Sequence, residues 1–250
     1  GLPFDPVEYR LAPFSGRQTR ALVERWYADG QEKVTGLLQT LRGSPALEQM
    51  AQNPLLLTLV CWLAGRYPIT PELSRSQLYG WMVGDLLGLD RNGNRDPVRS
   101  AQLLPLLREI AWRWFNDNQG KRALRHEQLR GWVWESRHRP LPRGVQAAQA
   151  VTLSRDAWAD ALIEELSREK RFLAVFESDG RAAYVFPHRS VLEYLAGAEL
   201  AEKLKVARKG KWWEFVDRMA WDPGWEGVLV FAAGELGEGA NQLVRRLLTG

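Results

Sequence analysis

Cysteine occurs once in this chain of 250 residues and histidine three times. The single Cys61 excludes an internal disulfide framework and fits a reducing compartment. It stands in an apolar run, which reads as a buried, inert thiol. The longest apolar run, Leu55 to Ala64, contains Thr58 and is far shorter than the roughly 20 residues that a spanning helix needs. No basic stretch followed by an apolar one opens the chain, so no secretory leader is read and a cytoplasmic setting is expected. The chain starts at Gly1 rather than Met and stops at Gly250 in mid-pattern, so a piece of a larger protein is expected.

Several kinds of chemistry are also missing. No GxxxxGK followed by Ser or Thr occurs, so neither a Walker A phosphate loop nor the Walker B that accompanies it is read, and GxGxxG is absent too. Cys61 has no partner in a CxxC. His126, His138 and His188 lack the spacing of metal ligands. Asp160, Glu164 and Glu165 share one helix with apolar positions and read as a solvated face rather than an acid–base site. No residue pattern gives this chain a catalytic centre of its own, and whether it serves an enzyme stays open.

What is present is ordinary globular composition, 45% hydrophobic and 26% charged, with a net charge of +4. Lys203, Lys205, Arg208, Lys209 and Lys211 cluster late in the chain, where they read as a solvated helix end and linker. The patterning is mostly helical. In SGRQTRALVERWY, Ser15 and Gln18 have capping-box spacing. In NPLLLTLVCWL, Asn53 is an N-cap and Pro54 takes the first helical position, with apolar residues on nearly every side. SRSQLYGWMVGDLLG carries a stripe that Gly88 is placed to end. LDRNGNRDP, Leu89 to Pro97, is the clearest boundary. Further helices follow over Leu103–Trp114, HEQLRGWVWESR and SRDAWADALIEELSREK.

FLAVF and AAYVF then read as the two strands of a hairpin turning at Asp179-Gly180. Helices leading into a hairpin are the plan of a winged helix. The hairpin delivers the chain to His188, at the start of a helix from Ser190, where free N–H groups favour an anion. From Trp212 on, short helices read as the start of an array whose stacking partners are missing, which makes this end the least stable part. The expected fold is mainly α: a helical bundle over 1–88, a linker at 89–97, a winged-helix domain with one β-hairpin over 98–205, and over 206–250 the first helices of a HEAT- or armadillo-like array or sensor region.

Several segments together resemble one family. AQNPLLLTLVCWL resembles the NPLLLTLLC segment of NACHT domains, and SRSQLYGWMVGDLL the helix that closes their first helical domain. FPHRSVLEYLAGAEL after a hairpin resembles their winged-helix ending, F-x-H-x-x-x-x-E-Y/F-x-A-A. LAPFSGRQTRALVERWY looks like the segment after the last strand of their nucleotide core, so 1–88 would carry the tail of that core. The matches keep the family's order from Leu11 to Leu204. These proteins are signal-transduction NTPases related to the NOD-like receptors.

The resemblance implies binding of ATP or ADP, with Mg, mainly by a P-loop core of the same polypeptide that lies outside this chain. It implies that Pro54 packs on the adenine and that His188 reaches the ADP β-phosphate and holds the closed state. It further implies homo-oligomerisation on activation, a protein or other ligand at the C-terminal sensor, no membrane, and a role in defence or signal transduction. Gly197 departs from the pattern, replacing a usual alanine, and is expected to add flexibility. On local sequence alone, Pro54 reads as a helix start and His188 as a partly buried histidine. Glu193 and Tyr194 are expected to pack and hydrogen-bond locally, and the tryptophans to fill core and inter-helix packing.

Two other functions compete. One is a winged-helix nucleic-acid binder that reads with Asp156 to Lys170. That helix carries Asp156, Asp160, Glu164, Glu165 and Glu169 against Arg155, Arg168 and Lys170, an acidic excess that suits a protein interface better than phosphate. The other is a helical protein-interaction scaffold with no nucleotide role.

Overall fold

Capping chemistry sets the helix starts in a computed structural model that describes residues 12–88, 95–120, 123–146, 152–206 and 210–249. Helix α1 (Gly16–Trp26) opens with a complete capping box: Gln18 N–H donates to Ser15 Oγ, and Ser15 N–H donates to Gln18 Oε1 at 2.9 Å. Helices α2 (Gln31–Arg42), α3 (Pro45–Ala51), α4 (Pro54–Ala64) and α5 (Arg75–Gly88) follow. On α4, Asn53 Oδ1 accepts from Leu55 and Leu56 N–H, and Pro54 occupies N1.

The chain divides into two compact units, Gly1–Leu78 and Tyr79–Gly250, so the division lies inside α5. The core of the first unit is aliphatic: Leu37, Leu41, Leu47, Leu57, Val60 and Leu63 are buried, and Cys61 with them. The Thr19 hydroxyl donates to Ala51 O at 3.3 Å and Phe14 N–H to Gln52 O at 2.7 Å, tying α1 to the end of α3.

In the second unit, Tyr79, Met82, Val83 and Leu87 of α5 are buried. Residues 89–94 of the expected linker lie outside the described residues. Helix α6 (Pro97–Asn118) starts from an Asp96 cap with Pro97 at N1. Strand β1 (Leu124–Arg125), helix α7 (His126–Glu135), helix α8 (Arg155–Glu164), strands β2 (Ala174–Ser178) and β3 (Arg181–Val185), and helix α9 (Arg189–Val206) come next. The chain closes with α10 (Lys211–Met219), α11 (Glu226–Leu236) and α12 (Ala240–Thr249).

The expected hairpin forms. Asp179 and Gly180 take φ of 53° and 70°, the positive pair that a two-residue type I′ turn demands. The sheet has a third strand that periodicity did not announce, because two residues leave no alternation to read. It is antiparallel throughout, in the order β1–β3–β2, with Leu124 opposite Tyr184 and Val175 opposite Tyr184 on the other side.

Helix 155–170 departs from its expected form. Glu165–Glu169 winds as a π-helix, with Lys170 N–H reaching back to Glu165 O at 2.9 Å. Glu165 is not on a solvated face. It is 3% exposed and accepts both arms of the equally buried Arg99, whose third nitrogen donates to Leu141 O at 2.8 Å. Burial lowers the ammonium of neighbouring Lys170 below its usual range.

The C-terminal helices do not hang free. Val228, Phe231 and Ala232 of α11 are fully buried, and α11 packs along α9. An aromatic cluster of Trp112, Phe115, Phe215 and Trp225, with ring centroids 4.8–5.8 Å apart, joins α6 to α10 and the turn before α11. Within the same unit, α6 and α9 cover one side of these helices, while Trp221, Val230 and Val244 stay exposed.

Candidate functional site around His188

β3 ends at Val185, and Phe186 anchors the exit with its ring 5.2 Å from that of the buried Trp114. Pro187 and His188 are exposed, and α9 begins at Arg189. His188 therefore stands where the sequence placed it, between strand end and helix start.

Its ring is held from behind. Ser190 N–H lies 3.3 Å from His188 Nδ1 and can only donate, so Nδ1 is an acceptor and the neutral ring carries its proton on Nε2. Ser190 Oγ, 2.6 Å from the same Nδ1, donates to it as well. With that proton used, the Tyr79 hydroxyl donates to Ser190 Oγ at 2.6 Å. Tyr79 and Ser190 are both buried. Among the described residues, Nε2 has no hydrogen-bond partner.

Arg189 donates to Glu193 at 2.7 Å, an i,i+4 pair one turn into α9. Tyr194 is buried between Tyr79 and Phe231, with ring centroids 5.8 and 5.5 Å away, and burial pushes its hydroxyl up to about 12. Gly197 does not serve flexibility. A Cβ there would stand 2.7 Å from Val228 O, 2.8 Å from Phe231 Cβ and 3.0 Å from Ala232 N, so glycine is what lets α11 lie against the α9 backbone.

Pro54 belongs to the first unit and His188 to the second. Pro54 is exposed at the first position of α4, and its carbonyl accepts from the Thr58 hydroxyl at 2.9 Å. The helix-start reading of Pro54 holds, and its ring is accessible.

Sequence reasoning missed one constellation. His126 Nδ1 lies 2.9 Å from the Tyr184 hydroxyl, and Nε2 lies 2.8 Å from Asp160 Oδ1. Arg130 clasps both oxygens of Asp160 at 2.8 Å, and that hydrogen bonding raises the guanidinium further. Both nitrogens of His126 are occupied, so the cluster locks α7, α8 and β3 together instead of presenting a base to a substrate. Its members come from three elements, and no local spacing could have revealed them. His138 lines a cleft of about 620 Å³ with Arg137, Glu199, Lys203 and Trp212. There Arg137 and Lys203 converge on buried Glu199 at 2.7 and 2.6 Å, two cations on one carboxylate.

Among the described residues, no group of His, Cys, Asp and Glu could hold a metal ion. No helix among them is long and apolar enough to cross a membrane. No known family model matches the chain, and no curated protein matches its sequence.

Proposed function

We propose that this chain is the regulatory half of a NACHT-type signalling NTPase, in which residues 98–205 form a winged helix that senses bound ADP or ATP. The observation that carries this reading is His188, exposed at the start of α9 with its Nε2–H free, directly after the hairpin. The order α6, β1, α7, α8, β2, β3, with β3 between β1 and β2, supports the winged helix, whose plan is helix, strand, two helices and a hairpin. The F-x-H-x-x-x-x-E-Y register over Phe186, His188, Glu193 and Tyr194 supports the family assignment.

Each unit, taken by itself, carries one of the proposed nucleotide contacts. His188 offers an N–H donor for a phosphate oxygen, and Pro54 offers an exposed apolar ring for an adenine face. The phosphate loop and the Mg ligands belong to a P-loop core of the same polypeptide. Loss of the His188 contact frees the winged helix and favours a homo-oligomeric state, in a cytoplasmic role in defence or signalling. A ligand at the C-terminal sensor region sets that balance.

Titration calorimetry with ADP and ATP, together with sizing chromatography, tests this on the protein that includes its P-loop core. A hydrogen bond to a charged phosphate contributes about 1.5–3 kcal/mol. His188→Ala therefore weakens ADP by roughly 10- to 100-fold, weakens ATP less, and shifts the population toward the assembled form. Unchanged ADP affinity in a variant that stays monomeric overturns the reading. The present chain alone binds neither nucleotide at low micromolar concentration, because two contacts cannot replace a phosphate loop.

A further inference from the structure

The proton relay behind His188 has a direction, and the direction has a use. A backbone N–H cannot accept, so Ser190 N–H fixes Nδ1 as the acceptor, and the order Tyr79 O–H to Ser190 Oγ, Ser190 O–H to His188 Nδ1 follows. The other ring nitrogen then carries the proton, on an exposed residue. Tyr79 is itself fixed: its ring packs edge-on against Phe231, with centroids 5.0 Å apart, and beside Tyr194. The relay thus begins in the packed core where α5, α9 and α11 meet and ends at an exposed imidazole.

We infer that Ser190 and Tyr79 are positioning residues that hold His188 in its Nε2–H tautomer and in one ring orientation, so that it presents a donor to an anionic oxygen. The inference rests on the proposed phosphate contact for its purpose. Its geometry can be tested without any nucleotide. A free imidazole in solution exchanges tautomers and rotates, and so spends part of its time with an acceptor facing outward. The relay removes those states in advance, which is preorganisation of a ligand contact.

Side-chain nitrogen NMR on the uniformly 15N-labelled chain reads this directly. At a pH where the ring is neutral, the wild type is expected to show one Nε2–H tautomer, with the Nδ1 resonance displaced toward that of a hydrogen-bonded acceptor. Ser190→Ala removes the hydroxyl donor, and Tyr79→Phe removes the hydroxyl that orients it while keeping the ring that packs. Both are expected to move Nδ1 toward the free-imidazole value, and Ser190→Thr, which keeps a hydroxyl, to restore it. Near-ultraviolet circular dichroism establishes that each variant is folded.

A wild-type Nδ1 resonance at the free value, or one that Ser190→Ala leaves in place in a folded chain, overturns the inference. In the protein with its P-loop core, Ser190→Ala is expected to lower ADP affinity by about 2- to 10-fold, one neutral hydrogen bond's worth. Full ADP affinity in Ser190→Ala, where His188→Ala loses it, also overturns the inference. Full affinity in His188→Ala overturns the nucleotide reading instead, and the NMR result stands apart from it.

Discussion

Gly197 and Val228 approach so closely that a Cβ on the glycine would stand 2.7 Å from the Val228 carbonyl oxygen. That oxygen, and Ala232 N at 3.0 Å, are backbone atoms of a helix that cannot step aside alone. Gly197→Ala is therefore expected to destabilise the second unit by about 1–3 kcal/mol, the cost of overpacking, despite alanine's better helix propensity. Gly227→Ala is the control. The nearest atoms to its Cβ are the carboxylate end of Glu193, which can swing away at the expense of its pair with the half-exposed Arg189. It is expected to lie within roughly 1 kcal/mol of wild type. Urea midpoints for both variants check the contrast, and equal losses would refute the close-seam account.

The buried pair of Arg99 and Glu165 predicts strong non-additivity. Both side chains are under a tenth exposed, and each neutralises the other. Glu165→Gln leaves a buried guanidinium without its counter-charge and is expected to cost about 3–5 kcal/mol. The double change Arg99→Met with Glu165→Leu removes both charges and is expected to cost much less than the two single changes together. A double-mutant cycle in urea measures the difference.

Alkaline pH should weaken the first unit through Cys61. Burial pushes its thiol up to about 11, against about 8.5 in an unfolded chain. A folded value above the unfolded one gives stability that is fully present below pH 8.5 and is lost as pH climbs toward 11. The loss amounts to roughly 3 kcal/mol over that window. Cys61→Ala should flatten the fall in stability between pH 8.5 and 10, before Tyr194, raised by burial to about 12, begins to contribute. The same burial predicts that thiol reagents leave Cys61 untouched at pH 8 until the chain is unfolded.

Helix α8 should not bind duplex nucleic acid. Its Asp160 is clasped by Arg130 and His126, and Asp156 lies 3.4 Å from the same guanidinium. Arg130, the cation beside these carboxylates, is already engaged by both of them. Fluorescence anisotropy with random duplex at low salt is expected to stay flat to tens of micromolar. Salt-sensitive micromolar binding would revive the nucleic-acid reading.

Local sequence determined most of what is local. Ser15 with Gln18, Asn53 with Pro54, and Asp179-Gly180 each carry their own backbone chemistry within four residues, so two helix starts and the hairpin turn were legible without tertiary context. The placement of His188 between strand and helix was legible for the same reason. Other features were decided only by packing, because they join residues far apart in the chain. β1 is two residues long and exists because β3 offers it partners. Glu165 looks like any surface carboxylate until Arg99, 66 residues away, takes it inside. Gly197 looks like a loosened alanine until α11 arrives against it. The Ser190 hydroxyl behind His188 is met by that of Tyr79, 111 residues away in the chain. Periodicity and capping act over a turn or a strand. Burial and hydrogen-bond direction depend on what the fold brings to the other side.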